Sequence, residues 1–188
     1  VSPLEMEGGI MSAERCRLLG TLWASSLEVE GGCISRKKLG AFLWCVNGDG
    51  SQKLLWQNPV MCYEQSLLTI RNYVFAVADN GVAYCWRTQD GVEMWKKRLF
   101  AGRISASPLL VDQRIYIAAQ DGTVYVISAI PDRFDLLAKN KTGDSIFASP
   151  VAVDDRLYIR FATGQGQDRK EYLMAAGEVT VEKTRSQQ

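Results

Sequence analysis

Short runs in which apolar and β-branched residues alternate with polar ones recur along this chain: YVFAVAD (73–79), VAYCWR (82–87), RIYIAAQ (114–120), TVYVISA (123–129) and RLYIRFA (156–162). Runs of this length and composition read as β-strands. Asn80-Gly81 and Asp121-Gly122 fall between successive runs. Both dipeptides tolerate positive φ, which a two-residue hairpin demands, so each is expected to join antiparallel neighbours. Asp90-Gly91 leads into VEMWKKRL (92–99), read as an outer strand with Met94 and Lys96 on one face and Trp95 on the other.

The pattern also repeats. SASPLLVDQRIYIAAQDG (105–122) returns 42 residues later as FASPVAVDDRLYIRFATG (147–164), with Ala106, Ser107, Pro108, Val111, Asp112, Arg114, Tyr116 and Ile117 recurring. A weaker copy lies 41 residues upstream, from Ser66 to Tyr84, and LWCVNGDGSQKLLW (43–56) answers YCWRTQDGVEMW (84–95). A period of about 40 to 45 residues, each unit holding several short strands, is the signature of a β-propeller. The expected fold is all-β, with blades of four-stranded antiparallel sheets in an incomplete propeller of about 3 to 4 blades. Residues 41–177 hold the repeats. Residues 1–40 read as a degenerate first blade or a poorly packed N-terminal segment, and 178–188 as a polar tail. Half a propeller leaves raw sheet faces and strand edges, so missing blades of a longer chain, a protein partner or self-association is expected to cover them.

Composition narrows the chemistry. A formal net charge of +1 with interspersed signs disfavours nucleic-acid binding. No apolar stretch approaches the ~18 residues of a membrane span, and no signal peptide is visible in this segment. Histidine is absent, and the five cysteines (Cys16, Cys33, Cys45, Cys62, Cys85) form no CxxC pair. The sequence therefore offers no Ser-His or Cys-His couple and no ordinary zinc site. Cys45 and Cys85 sit inside apolar runs and read as small buried hydrophobes. Ala106, Ser107, Ala148 and Ser149 read as packing residues at converging inner strands rather than as catalytic serines. Asp112 and Asp154 recur at one hairpin and read as turn formers rather than as calcium ligands.

With these residues in hand, the chain resembles the pyrroloquinoline-quinone-type (PQQ-like) β-propeller repeat, in which a turn glycine is followed by a tryptophan that docks on the neighbouring blade. Asp90, Gly91 and Trp95 match that device, and Asp49, Gly50 and Trp56 match it with two extra residues. Leu136 takes the aligned place in the third repeat, after a turn disturbed by Pro131-Asp132, so that contact is expected to be rebuilt with aliphatic side chains. Residues 134–160 are similar to the closing repeats of bacterial outer-membrane assembly factor (BamB-like) propellers. The resemblance implies a non-catalytic binding scaffold, mediating protein–protein contact in the periplasm or cell envelope. Its alternative is a fragment of a quinoprotein alcohol or sugar dehydrogenase, with pyrroloquinoline quinone and calcium as cofactors. The quinone enzymes of this superfamily use adjacent cysteines, a stacking tryptophan and a Glu/Asn/Asp calcium site. This sequence has no adjacent cysteines, and Trp86 reads as core. No catalytic, cofactor or metal residue is assigned. Arg103, Arg114 and Arg156 are the loop residues chosen for a binding rim.

Overall fold

Val, Ile, Tyr and Phe at alternate positions can bury one side of a pleated strand only by packing it on another sheet, and this requirement organises the chain. The computed structural model describes residues 21–24, 43–47 and 53–177. They form four antiparallel sheets in which strand order follows chain order. The first comprises β1 (Thr21–Ala24), β2 (Leu43–Asn47) and β3 (Leu54–Asn58). The second comprises β4 (Leu68–Ile70), β5 (Tyr73–Val77), β6 (Val82–Arg87) and β7 (Glu93–Arg98). The third repeats it as β8 (Leu109–Val111), β9 (Arg114–Ala118), β10 (Thr123–Ser128) and β11 (Leu136–Lys141). The fourth holds β12 (Val151–Val153), β13 (Arg156–Thr163) and β14 (Lys170–Gly177). This is an incomplete propeller of several blades.

Apolar clusters fill the three gaps between successive sheets, so the second and third sheets bury both faces. Leu43 and Cys45 of the first sheet meet Val74, Ala76 and Trp86 of the second. The opposite face of the second sheet, with Phe75, Val77, Ala83 and Cys85, meets Ile115, Ile117, Tyr125 and Ile127 of the third. Ala118 and Val124 then meet Ile146 and Ile159, with Leu157, Phe161 and Met174 of the fourth sheet packed alongside. Ile115 and Ile117 are no more than 1% exposed, and each such side chain contributes on the order of 2 kcal/mol by leaving water.

Three local expectations are corrected. Asn80-Gly81 and Asp121-Gly122 do not make two-residue hairpins. Ala78 N–H donates to Val82 O, Gly81 N–H donates to Ala78 O, and only Gly81 has positive φ (79°). The loop is thus three residues closed by a left-handed glycine, and 120–122 repeats it with Gly122 at 82°. The glycines are required because the chain leaving each outer strand crosses them: an added Cβ on Gly81 would lie 2.5 Å from Phe100 O. Two-residue loops occur instead between the inner strands, at 71–72, 112–113 and 154–155, where Arg71, Asp112 and Asp154 take φ of 54°, 53° and 51°.

Met94 and Lys96 do not share a face across β7. Cys85 pairs with Trp95 but Trp86 with Glu93, so a bulge falls at Met94 and turns it into the same apolar cluster as Trp95. The same bulge corrects the third repeat. Val126 pairs with Ala138 and Ile127 with Leu136, so Ala138, not Leu136, occupies the place of Trp95. Leu136 is 47% exposed and belongs to none of the three apolar clusters between sheets. The turn containing Pro131-Asp132 is simply longer.

Residues 178–188, the turn at Asp49-Gly50, Cys16, Cys33, and 1–40 apart from β1 lie outside the described residues. Of the segment 164–171, residues 164–169 form an enlarged hairpin loop carrying one 3-10 turn, Gly166–Asp168, and Lys170 and Glu171 already belong to β14. Among the described residues no helix is long and apolar enough to cross a membrane.

Candidate interaction surface

Trp56 and Trp95 project from outer strands across the gap to the next sheet. The Trp56 indole N–H donates to Thr88 O at 2.9 Å, and its ring lies over Gly91. That turn is closed by Arg87, whose guanidinium meets Asp90 at 2.9 and 2.6 Å. The hydrogen bond from Arg87 holds the Asp90 carboxyl below its usual range. Trp95 donates to Ile130 O at 3.3 Å and packs edge-on to Phe134 at 5.4 Å. Nearer the inner strands, the Ser66 N–H donates to Ser107 Oγ at 2.9 Å, and the Ser107 N–H to Ser149 Oγ at 2.8 Å. Ser107 and Ser149 therefore tie successive sheets together, a role beyond packing.

The outer strands carry a second recurring device. Arg98 donates to Asn80 O at 3.0 Å, and Lys141 donates to Asp121 O, each closing the hairpin turn of its own sheet.

Loops that lead into the inner strands gather at one end of the sheets. Asp79 N–H donates to Met61 O, Gln120 N–H to Arg103 O, and Ala162 N–H to Ser145 O, so 61–65, 103–107 and 145–149 are equivalent. The second position of each is buried, as Cys62, Ile104 and Ile146. Their outward positions are large: Met61 is 54%, Tyr63 52% and Phe147 54% exposed. Arg103 is exposed on the same end. Beside Phe147, the Arg169 guanidinium sits 5.9 Å from the ring and bonds Glu171 and Ser145, while Arg160 reaches Glu171 at 3.3 Å. These groups line a cleft of about 120 Å³.

The three arginines chosen from the sequence do not converge. Arg114 and Arg156 are equivalent and follow the 112–113 and 154–155 loops at the far end of the inner strands, away from Arg103. No ion pair involves any of the three among the described residues. Sequence reading missed Met61, Tyr63 and Phe147. Their signal was present as the residues flanking the repeated buried position at 62, 104 and 146, but single exposed apolars are indistinguishable from core by composition.

The described residues do not fit a quinone site. Trp86 is 0% exposed and stacked on Tyr84 at 4.8 Å between sheets, so neither face is open to a planar ring. Cys45, Cys62 and Cys85 are buried on separate segments. No group of three or more Cys, Asp or Glu side chains among the described residues is arranged to hold a metal ion.

This architecture defines a PQQ-like propeller repeat protein. A family profile described as outer membrane protein assembly factor BamB matches residues 23–132, more than half of the chain, and the chain belongs to that family. No curated protein matches it in sequence. Among solved structures it is similar to BamB from Moraxella catarrhalis, with TM-score 0.53 and 14% identity over 63% of this chain and 34% of that one. It is similar to the computationally designed Ika4 protein, with TM-score 0.52 and 16% identity over 72% and 80%. A quinohemoprotein alcohol dehydrogenase, ADHIIG from Pseudomonas putida HK5, gives TM-score 0.53 and 11% identity over 76% and 27%. At these identities the likeness is one of fold. The chain spans about a third of the Moraxella protein's length.

Proposed function

We propose that this chain is part of a non-catalytic propeller that binds a protein partner at the bacterial cell envelope, through the end bearing Met61, Tyr63, Arg103 and Phe147. The carrying observation is the repetition: equivalent loops on adjacent sheets bury an apolar residue at their second position (Cys62, Ile104, Ile146), and two of them expose large ones beside it. Aromatic residues, methionine and arginine are the groups enriched at the centres of protein interfaces. The match to the BamB family supports the envelope setting.

The dehydrogenase-fragment reading draws on the fold shared with ADHIIG. The burial of Trp86 and the separation of the described thiols weigh against it. Two measurements separate the readings. A photo-crosslinking amino acid at Phe147 or Tyr63, in cells making the protein from its own gene, is expected to trap a discrete protein partner, while the same group at Asp112 traps none. Pyrroloquinoline quinone with calcium, added to purified protein, is expected to give no cofactor absorbance shift and no dye-linked alcohol oxidation. Appearance of both signals would replace the scaffold reading with the enzymatic one.

A further inference from the structure

The loop that carries Met61 and Tyr63 departs from its two repeats. Between the buried Cys62 and the tie residue Ser66 stand three residues, Tyr63, Glu64 and Gln65, whereas two stand between Ile104 and Ser107 and two between Ile146 and Ser149. Counted back from each serine, Gln65 takes the place of Ala106 and Ala148. Gln65 and Ala106 are both 0% exposed. The third sheet thus closes the equivalent loop over a methyl group, and the fold by itself calls for no amide there.

A buried amide is tolerated where its donors and its acceptor all find partners. Those of Gln65 run to this loop and to the strand end beside it. Its Nε2 donates to Val77 O at 2.6 Å and to Asp79 Oδ1 at 3.0 Å, and its Oε1 accepts from the Glu64 N–H at 3.2 Å. Asp79 completes the frame. The same Oδ1 accepts from the Tyr63 N–H at 2.8 Å, and the Asp79 N–H donates to Met61 O at 2.9 Å. The backbone is therefore held at 61, 63 and 64 while the Met61 and Tyr63 side chains stay outward, 54% and 52% exposed. At the place of Asp79 the third sheet has Gln120, which reaches Ser105 Oγ, and the fourth has Ala162, which has no polar side chain to offer.

We infer that Gln65 and Asp79 are positioning residues that hold the 61–65 loop in its binding shape, making Met61 and Tyr63 the fixed contact of the partner surface. The inference rests on the partner-binding reading given above. A loop ordered before encounter gives up little freedom when the partner docks, so its order is expressed as affinity. Gln65 acts from beneath, since it is fully buried.

Amide hydrogen exchange and photo-crosslinking on one set of variants test it. Gln65→Met keeps the length of the side chain without its hydrogen-bonding groups, and Asp79→Ala removes the shared oxygen. In both, exchange at Tyr63 and Glu64 is expected to rise at least about tenfold while the amides of β5 and β6 keep their protection. With a photo-crosslinking amino acid at Met61 or at Phe147, the ratio of adduct at Met61 to adduct at Phe147 is expected to fall several-fold in both variants. General destabilisation would lower the two adducts together. Asp79→Asn keeps an accepting oxygen and is expected to return both readouts towards wild type. Asp79 is only partly buried, so its variants carry the test should Gln65→Met fail to fold. Unchanged exchange at Tyr63 and Glu64 in the folded variants, or a loosened loop with an unchanged adduct ratio, would overturn the inference and leave the partner surface standing. Wild-type protein that gives no adduct at either site would overturn the partner surface and this role with it.

Discussion

Trp56 and Gly91 belong to different sheets, yet each determines what the other can be. A Cβ on Gly91 would lie 2.5 Å from Trp56 Cδ2, and Gly91 itself has φ of 71°. Gly91→Ala is therefore expected to cost on the order of 2 kcal/mol or more, combining backbone strain with displacement of the ring. Trp56→Ala removes the ring and its hydrogen bond to Thr88 O, and is expected to cost roughly 3 to 5 kcal/mol. Urea unfolding followed by circular dichroism measures both. A Gly91→Ala variant as stable as wild type would show that the ring does not rest there.

The left-handed residue at the first inner hairpin is Arg71, where the later repeats use Asp112 and Asp154. Aspartate and asparagine tolerate this conformation because their short polar side chains bond locally, and arginine lacks that compensation. Arg71→Asn is expected to stabilise the fold by about 1 kcal/mol, raising the thermal midpoint by roughly 2 to 4 °C. Asp112→Arg and Asp154→Arg are expected to move it the other way. Scanning calorimetry on the three variants checks the sign.

How far the sequence carried the fold depends on which physical constraint wrote each signal. Blade period, strand positions and the place of Trp95 were legible because apolar alternation and turn glycines are local. The position of Ala138 was not, because it depends on a bulge set by pairing between β10 and β11. The three-residue hairpins were misread because Asn-Gly serves both loop lengths, and only the hydrogen bond from Ala78 to Val82 distinguishes them. Arg103 was grouped with Arg114 and Arg156 as an arginine repeated at matching hairpins; strand direction places it at the opposite end. The serine ties were hidden because Ser-Pro at a strand start gives no hint that its hydroxyl crosses to another sheet.

Those ties give a third expectation. Ser107 both donates through its N–H to Ser149 Oγ and accepts from the Ser66 N–H, so Ser107→Ala loses one rung and Ser149→Ala the other. Each is expected to cost about 1 kcal/mol, and the double variant about the sum unless the rungs are coupled. A double-mutant cycle in urea measures the coupling. Ser107→Ala and Ser149→Ala each within error of wild type would mean that water replaces the hydroxyls without loss.

Burial pushes the Cys62 thiol from 9.0 up to about 12, with the charge of Asp79 adding to the effect. Cys85 is raised to about 12 in the same way, by burial first and then by the charge of Asp132. A thiol whose folded value lies above its unfolded one stays protonated in the fold while the unfolded chain ionises. The stability from each thiol is complete below pH 9 and is lost as pH rises from 9 towards 12, at up to about 1.4 kcal/mol per pH unit. Native protein at pH 8 is accordingly expected to react with thiol reagents at Cys62 and Cys85 only through unfolding, at rates that rise with urea. The Cys62→Ala, Cys85→Ala double variant is expected to begin less stable at neutral pH and to show a shallower decline between pH 9 and 11. Parallel alkaline profiles for that variant and wild type would show that these thiols do not govern the alkaline limb.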